Sequence, residues 1–207
     1  MPNHFDQVAR EWDMNKMHTE RTNAIASALL KKGLIKSGMT GLEFGSGTGL
    51  LSIALKDHFS EITLIDSSAE MVKITIEKLE EQGIHHLHPE FFDLEHEDYT
   101  ARKFDAVFSQ MVLHHTHDIE KIFCRFFDLL NPEGILVIAD LYAEDGSFHD
   151  SAFTGHKGFD PAVLAELLSK HGFTEIDFQP CFTINKPSET SATKEYPVFL
   201  LTAIKHA

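Results

Sequence analysis

The run Leu42-Glu43-Phe44-Gly45-Ser46-Gly47-Thr48-Gly49 begins as a short apolar stretch and then breaks into three glycines at every second position. Glycine has no Cβ, so a ligand can lie against the backbone of such a loop, and the next helix can begin close to the sheet. N–H groups exposed at the start of that helix suit an anionic or carboxylate-bearing ligand. A tight turn with no ligand is the plain alternative, and the neighbouring residues bear on the choice.

Outward from the loop the chain alternates. Short apolar runs at Leu42 to Phe44, Ile62 to Ile65, Ala106 to Phe108 and Ile135 to Ala139 are each followed by a stretch with helical spacing. Ser67-Ser-Ala-Glu70 has the S-x-x-E form of a capping box and opens a helix with Met71, Val72, Thr75, Ile76 and Leu79 at its apolar positions. Ile119, Ile122, Phe123, Phe126, Phe127 and Leu130 make one apolar helix face, which Pro132 and Gly134 bring to an end. Asp160-Pro161 is an N-cap with proline at the first helical position, Val163, Leu164, Leu167 and Leu168 face inward, and Gly172 closes that helix.

Strands alternating with helices imply a parallel sheet covered on both faces with right-handed crossovers. Two last strands, near Phe173 to Phe178 and Val198 to Ile204, are separated by a stretch whose Pro, Ser and Thr content argues for a terminal hairpin, which adds an antiparallel strand. In an open sheet of this kind ligands bind beyond the carboxyl ends of the strands, where the strand order reverses. Asp66 closes the second strand, where an acidic side chain can accept hydrogen bonds from ribose hydroxyls. The dinucleotide pattern G-x-G-x-x-G would need glycine at position 50, which is Leu50.

The ordered set of Leu42 to Gly49, Asp66, Phe92-Asp93 and Phe104-Asp105-Ala-Val-Phe-Ser-Gln-Met-Val-Leu-His-His115 resembles the class I S-adenosylmethionine-dependent methyltransferases, in particular the branch with quinone-biosynthesis and other small-molecule enzymes. The resemblance covers about residues 40 to 140. It implies a Rossmann-like, doubly wound seven-stranded α/β sheet, mostly parallel with a C-terminal antiparallel strand and helices on both faces. S-adenosyl-L-methionine is the implied cofactor and S-adenosyl-L-homocysteine the product. By the same resemblance Gly45, Ser46 and Gly47 line the methionine portion, with Glu43 near its amino group. Asp66 holds the ribose hydroxyls, with Ser67 and Met71 close to the adenine. Asp93 accepts from the adenine amino group, Leu94 offers a backbone N–H to the ring edge, and Ser109 and Gln110 lie under the sulfonium.

Methyl transfer from a sulfonium is an in-line displacement, so alignment in a water-poor pocket supplies much of the acceleration. A general base is needed only if the acceptor arrives protonated. His114 and His115 follow the fourth strand and are the expected base residues, His114 in preference, because neutral imidazole is available near pH 7. The stretch Phe5-Asp-x-x-Ala-x-x-Trp12-Asp13 resembles an N-terminal lid helix, while Phe5, Val8 and Trp12 at i, i+3 and i+7 fit an ordinary amphipathic contact face equally well. The loop from Tyr142 to Phe159, with Tyr142, His149, Phe153 and His156, is expected to overhang the acceptor pocket.

At 207 residues the chain reads as one methyltransferase domain, with a helical extension over 1–36, a cofactor core over 37–141 and an acceptor-side loop, helix and hairpin over 142–207. Its net charge of −14 and the lack of any basic run argue against nucleic acid and anionic membranes as partners and leave a small molecule as the expected acceptor. No apolar run has the length of a membrane span, and the opening residues lack signal-peptide character, so the expected setting is cytoplasmic. Cys124 and Cys181 fit no zinc or disulfide pattern, and no metal site is expected from motifs although there are 14 histidines. Two further readings stay open at this level: a non-catalytic cofactor-binding regulatory or partner subunit, and a nicotinamide-dependent oxidoreductase. The acceptor atom and the oligomeric state are not legible.

Overall fold

The computed structural model describes residues 9–187 and 193–206. Seven strands form one sheet: β1 (Thr40–Phe44), β2 (Glu61–Asp66), β3 (Leu87–Phe91), β4 (Phe104–Gln110), β5 (Leu130–Leu141), β6 (Phe173–Pro187) and β7 (Thr193–Lys205), in the order β3-β2-β1-β4-β5-β7-β6. The first five are mutually parallel, and β7 runs antiparallel to both β5 and β6. This is the expected Rossmann-like sheet with one antiparallel strand. The turn of the expected terminal hairpin lies outside the described residues.

The inner strands β1, β2, β4, β5 and β7 are buried on both faces over most of their length because both faces are covered, whereas the edge strands β3 and β6 are largely exposed. Along β5, Ile135, Val137 and Ala139 join one core with Leu51, Leu55 and Phe108, while Leu136 and Ile138 join the other with Phe123, Phe126 and Leu164. The first core lies under α1 (Lys16–Lys31), α2 (Leu50–Leu55) and α3 (Ala69–Glu81); the second lies under α4 (Ile119–Leu129) and α5 (Pro161–Lys170). Asp118 caps α4 by accepting from the Lys121 N–H at 3.0 Å, and Asp160 caps α5 by accepting from Ala162 N–H at 2.9 Å.

Local readings shift in four places. The cap of α3 is Ser68, extended and accepting from Met71 N–H, one residue later than the expected Ser67, because Asp66 takes the Ser68 N–H and holds that residue out of the helix. α4 does not fray toward Pro132 but runs straight into β5, since Leu130 already pairs with Phe104. Val163 and Ile76 fall just outside the buried stripes of their helices and are exposed. β6 and β7 extend well beyond the apolar runs that suggested them, because each strand's backbone is satisfied by the other out to the pair Pro187 and Thr193.

The strand order reverses between β1 and β4, whose ends meet at the register Phe44 opposite Ser109. The glycine loop leaves one side of this crevice and the segment Met111 to His115 the other. Among the described residues no helix is long and apolar enough to cross a membrane.

Candidate active site

A cavity of about 800 Å³ opens over the switch point. At one end it is lined by the glycine loop. Gly45, Gly47 and Gly49 all have positive φ, where an L side chain is strained. A Cβ on Gly45 would also meet both methyls of Val112, at 2.5 and 2.6 Å, whereas a Cβ on Gly47 would stand in open space. The loop is fastened from below: Gly45 N–H and Ser46 N–H both donate to Ile65 O, and Thr75 Oγ1 donates to Gly47 O. It is fastened from above by Asp13, which accepts from Thr48 Oγ1 at 2.6 Å and pairs with Lys78.

Asp66 stands where β2 ends. One carboxylate oxygen accepts from Gly47 N–H at 2.7 Å and the other from Ser68 N–H at 2.8 Å, so the side chain ties the glycine loop to the start of α3. A carboxylate oxygen carries two acceptor sites, so a side chain at this strand end can accept from more than one donor at once. Glu43 is buried beneath the loop and accepts from the Ser52 N–H at 3.1 Å and from the Ser52 hydroxyl. Burial pushes its carboxyl up to about 8; the bonds from Ser52 oppose this, the charge of Asp66 adds to it, and Lys78 opposes it.

Asp93 follows β3 and also lines the cavity, accepting from Glu95 N–H at 3.0 Å and engaging His96 Nδ1 at 2.9 Å. Leu94, Ser67 and Met71 line the same end. Gln110 donates from Nε2 to Thr22 Oγ1 at 2.8 Å and leaves its Oε1 buried with no partner among the described residues. Ser109 is the one expected cofactor residue that does not line the cavity. Strand alternation turns it to the opposite face from Phe108 and Gln110, and it is buried.

The other end of the cavity gathers His114, His115, Phe148, His149 and Phe153. His114 is buried, and its Nδ1 lies 2.6 Å from Asp140 Oδ1. Asp140, fully buried, also accepts from the backbone N–H groups of His114 and Leu141. A carboxylate only accepts, so Nδ1 of His114 carries a proton, and in the neutral ring the lone pair is then on Nε2. His149 packs its ring on Phe153 with centroids 3.9 Å apart, and its pKa is lowered to about 4 by burial first and then by the neighbouring His114 and Lys186. Of the loop residues singled out by sequence, His149 and Phe153 reach the cavity; Tyr142 and His156 do not, Tyr142 bridging to Phe159 and His156 donating its N–H to His114 O. Trp12 reaches the cavity with its ring against His18, while Phe5 and Val8 lie outside the described residues.

Sequence reading missed Arg21 and Lys186. Arg21 projects from α1, is buried, faces the cavity and leaves Nε without a partner among the described residues; burial lowers its pKa to about 10, with the charge of Asp140 opposing. Lys186 lies 3.6 Å over the Phe148 ring and donates to Phe148 O. Position on a helix gives no hint that a basic residue points inward, and β6 supplies Lys186 from the far end of the chain, so neither had a local signal.

A parallel sheet with a glycine loop and an acidic residue at its switch point defines an α/β protein built for a nucleoside-bearing cofactor. A model of the methyltransferase domain matches residues 17–177, and the chain belongs to that family, the class I S-adenosylmethionine-dependent methyltransferases. Over 158 residues it is 31% identical to an uncharacterized methyltransferase of Schizosaccharomyces pombe, a match that covers 69% of this chain and 56% of that protein. A chain of the complex between the Haloferax volcanii Trm112 methyltransferase activator and a methyltransferase superposes with a TM-score of 0.77 at 17% identity, covering 100% of both chains. Phosphoethanolamine N-methyltransferase 2 of Haemonchus contortus, solved with phosphomonomethylethanolamine and S-adenosylhomocysteine, superposes with a TM-score of 0.69 at 18% identity, covering 88% of this chain and 52% of that one.

Proposed function

We propose that the chain transfers a methyl group from S-adenosylmethionine to a small-molecule acceptor held at the histidine end of the cavity. The observation that carries this reading is the continuity of one cavity from Asp66 and the glycine loop to His114. The cofactor's methionine portion runs along Gly45, Ser46 and Gly47 with its amino group toward Glu43. Asp66 takes the ribose hydroxyls, Ser67 and Met71 pack against the adenine, Asp93 and the Leu94 N–H read its edge, and Gln110 Oε1 gains a donor beside the sulfonium. The acceptor approaches from the side of Phe148 and Phe153, where aromatic walls keep water low. The solved Haemonchus enzyme, which holds the small phosphomonoester phosphomonomethylethanolamine together with S-adenosylhomocysteine, supports a small acceptor on this scaffold.

Activation of an acceptor that arrives protonated falls to the His114 and His115 end, with Asp140 setting the orientation of His114. The domain division at residues 36 and 141 and a cytoplasmic, reducing setting, in keeping with free Cys124 and Cys181, belong to the same proposal.

A thermal-shift titration with S-adenosylhomocysteine, S-adenosylmethionine and nicotinamide cofactors in parallel tests the reading. Ligand at about 100 times its dissociation constant stabilises by about 2.7 kcal/mol, a rise of roughly 5 to 10 °C at this size. A rise with nicotinamide and none with the sulfur nucleosides overturns it. Asp66→Ala is expected to weaken S-adenosylhomocysteine by about 1–3 kcal/mol, or about 5- to 150-fold, with the fold retained because the two stranded N–H groups border the cavity and can take water. Unchanged affinity by calorimetry removes Asp66 from the ribose.

A further inference from the structure

His114, His115 and His149 each present a ring nitrogen, and the three nitrogens lie within 4.8 Å of one another. Two of the residues come from the turn after β4 and the third from the loop after β5, so the cluster forms only when the two segments fold together. We propose that these three imidazoles bind one divalent transition-metal ion, with Asp140 positioning His114 and with a fourth coordination site open to the acceptor.

Two observations single this cluster out from an ordinary group of surface histidines. Asp140 occupies Nδ1 of His114 at 2.6 Å, the carboxylate–histidine arrangement that fixes a ring and leaves Nε2 as the ligand atom. Nε2 of His149 is buried with no hydrogen-bond partner among the described residues, an unfavourable state that a metal–nitrogen bond would relieve. Tetrahedral coordination at 2.0–2.1 Å sets ligand nitrogens about 3.3 Å apart, so the rings would draw together on binding from a spacing of at most 4.8 Å. The all-imidazole set suits zinc, iron or copper rather than magnesium or calcium. Three protein ligands and one vacant position are the pattern of a catalytic ion, not a structural one.

The charges around the cluster name the acceptor. Arg21 and Lys186 face the same cavity, and Asp140 and Asp150 stand against His114 and His149. Three neutral imidazoles leave the ion its full double charge, so with Arg21 the acceptor end attracts an anion. The acceptor class is a small acid, a carboxylate or phosphate ester, with a hydroxyl or enol oxygen for the ion and its anionic group toward the unpartnered Nε of Arg21. On the ion that oxygen loses its proton to solvent. Its electron pair then drives formation of the bond to the methyl carbon, while the C–S bond breaks and returns its pair to sulfur, leaving neutral S-adenosylhomocysteine. This acceptor assignment rests on the methyl-transfer reading; the metal site does not.

The test uses the full chain, stripped with a chelator and dialysed, and titrated with Co²⁺ as an optical probe and with Zn²⁺ by calorimetry. One equivalent is expected to bind with tetrahedral cobalt absorption. His149→Ala is expected to weaken that equivalent at least about 100-fold, and exposed His58→Ala to leave it unchanged. S-adenosylhomocysteine binding is measured on the same samples. Absence of a stoichiometric ion, or equal binding by wild type and His149→Ala, overturns the site, and retained S-adenosylhomocysteine binding then leaves the methyl-transfer reading standing. Metal binding without S-adenosylhomocysteine binding does the reverse.

Discussion

Between about pH 4.5 and about pH 8 Glu43 is expected to lower the folding equilibrium constant by close to a factor of ten for every unit that the pH rises, and Glu43→Gln is expected to remove that slope. The cause is burial: Glu43 lies under the glycine loop, where ionisation would leave a charge with one serine to solvate it and Asp66 nearby to repel it. The sign follows from proton counting. An unfolded glutamate ionises at its ordinary value of 4.5, while the folded one holds its proton to about 8. Between those limits the native state carries the extra proton, so the stabilisation is whole below 4.5 and is lost as pH rises through 8. Urea midpoints of wild type and Glu43→Gln across this range measure it, and parallel profiles would show that Glu43 is ionised in the native state. The same proton links to function. A cofactor ammonium beside Glu43 draws the carboxyl into its charged form, so at pH 7 binding of S-adenosylhomocysteine is expected to release a proton, readable as a buffer-dependent heat.

That Glu43 is so deeply buried could not be read from Leu42-Glu43-Phe44, although the strand itself could. The apolar runs and glycine punctuation are local signals, and the sheet, its helices and its reversal point follow from them. The residues at or just past the strand ends, Gly45, Asp66, Asp93 and Gln110, reach the cavity because strand ends converge there whatever the detail of packing. Ser109 fails for an equally local reason: a period of two decides which of two neighbours faces the crevice, and the sequence fixes no phase where both faces of a strand are buried. The cap of α3 moved by one residue because Asp66 captured the Ser68 N–H, a competition between two side chains for the same turn. At the acceptor end His114, His115, His149 and Phe153 lie in segments that follow strand ends and are legible for that reason, whereas Arg21, Lys186 and Asp140 are not: they come from separate elements, and nothing local marks Asp140, next to the apolar run Ile135 to Ala139, as the partner of His114. Assembly by tertiary contact leaves no periodic trace.

His114→Ala is expected to lower turnover by about 10²- to 10⁴-fold while changing the S-adenosylhomocysteine dissociation constant by no more than a few-fold. The division arises from where the residue sits. The glycine loop, Asp66 and Asp93 belong to elements fastened by their own hydrogen bonds, none of which involves His114. His114 instead joins β5 to the acceptor loop: its ring holds Asp140 and its carbonyl accepts from His156 N–H. The carbonyl bond survives alanine, so the loop keeps that anchor, but Asp140 loses one of its three donors while still accepting from two backbone N–H groups. A buried carboxylate stripped in this way carries a stability cost of its own, which is why the melting point must be read beside the rate. His114→Gln separates the two effects. Its amide can still donate to Asp140 but offers no imidazole lone pair, so it is expected to recover stability without recovering turnover. Recovery of both would mean that His114 works through Asp140 and packing alone. Full activity in His114→Ala would leave positioning in the cavity as the whole of the mechanism.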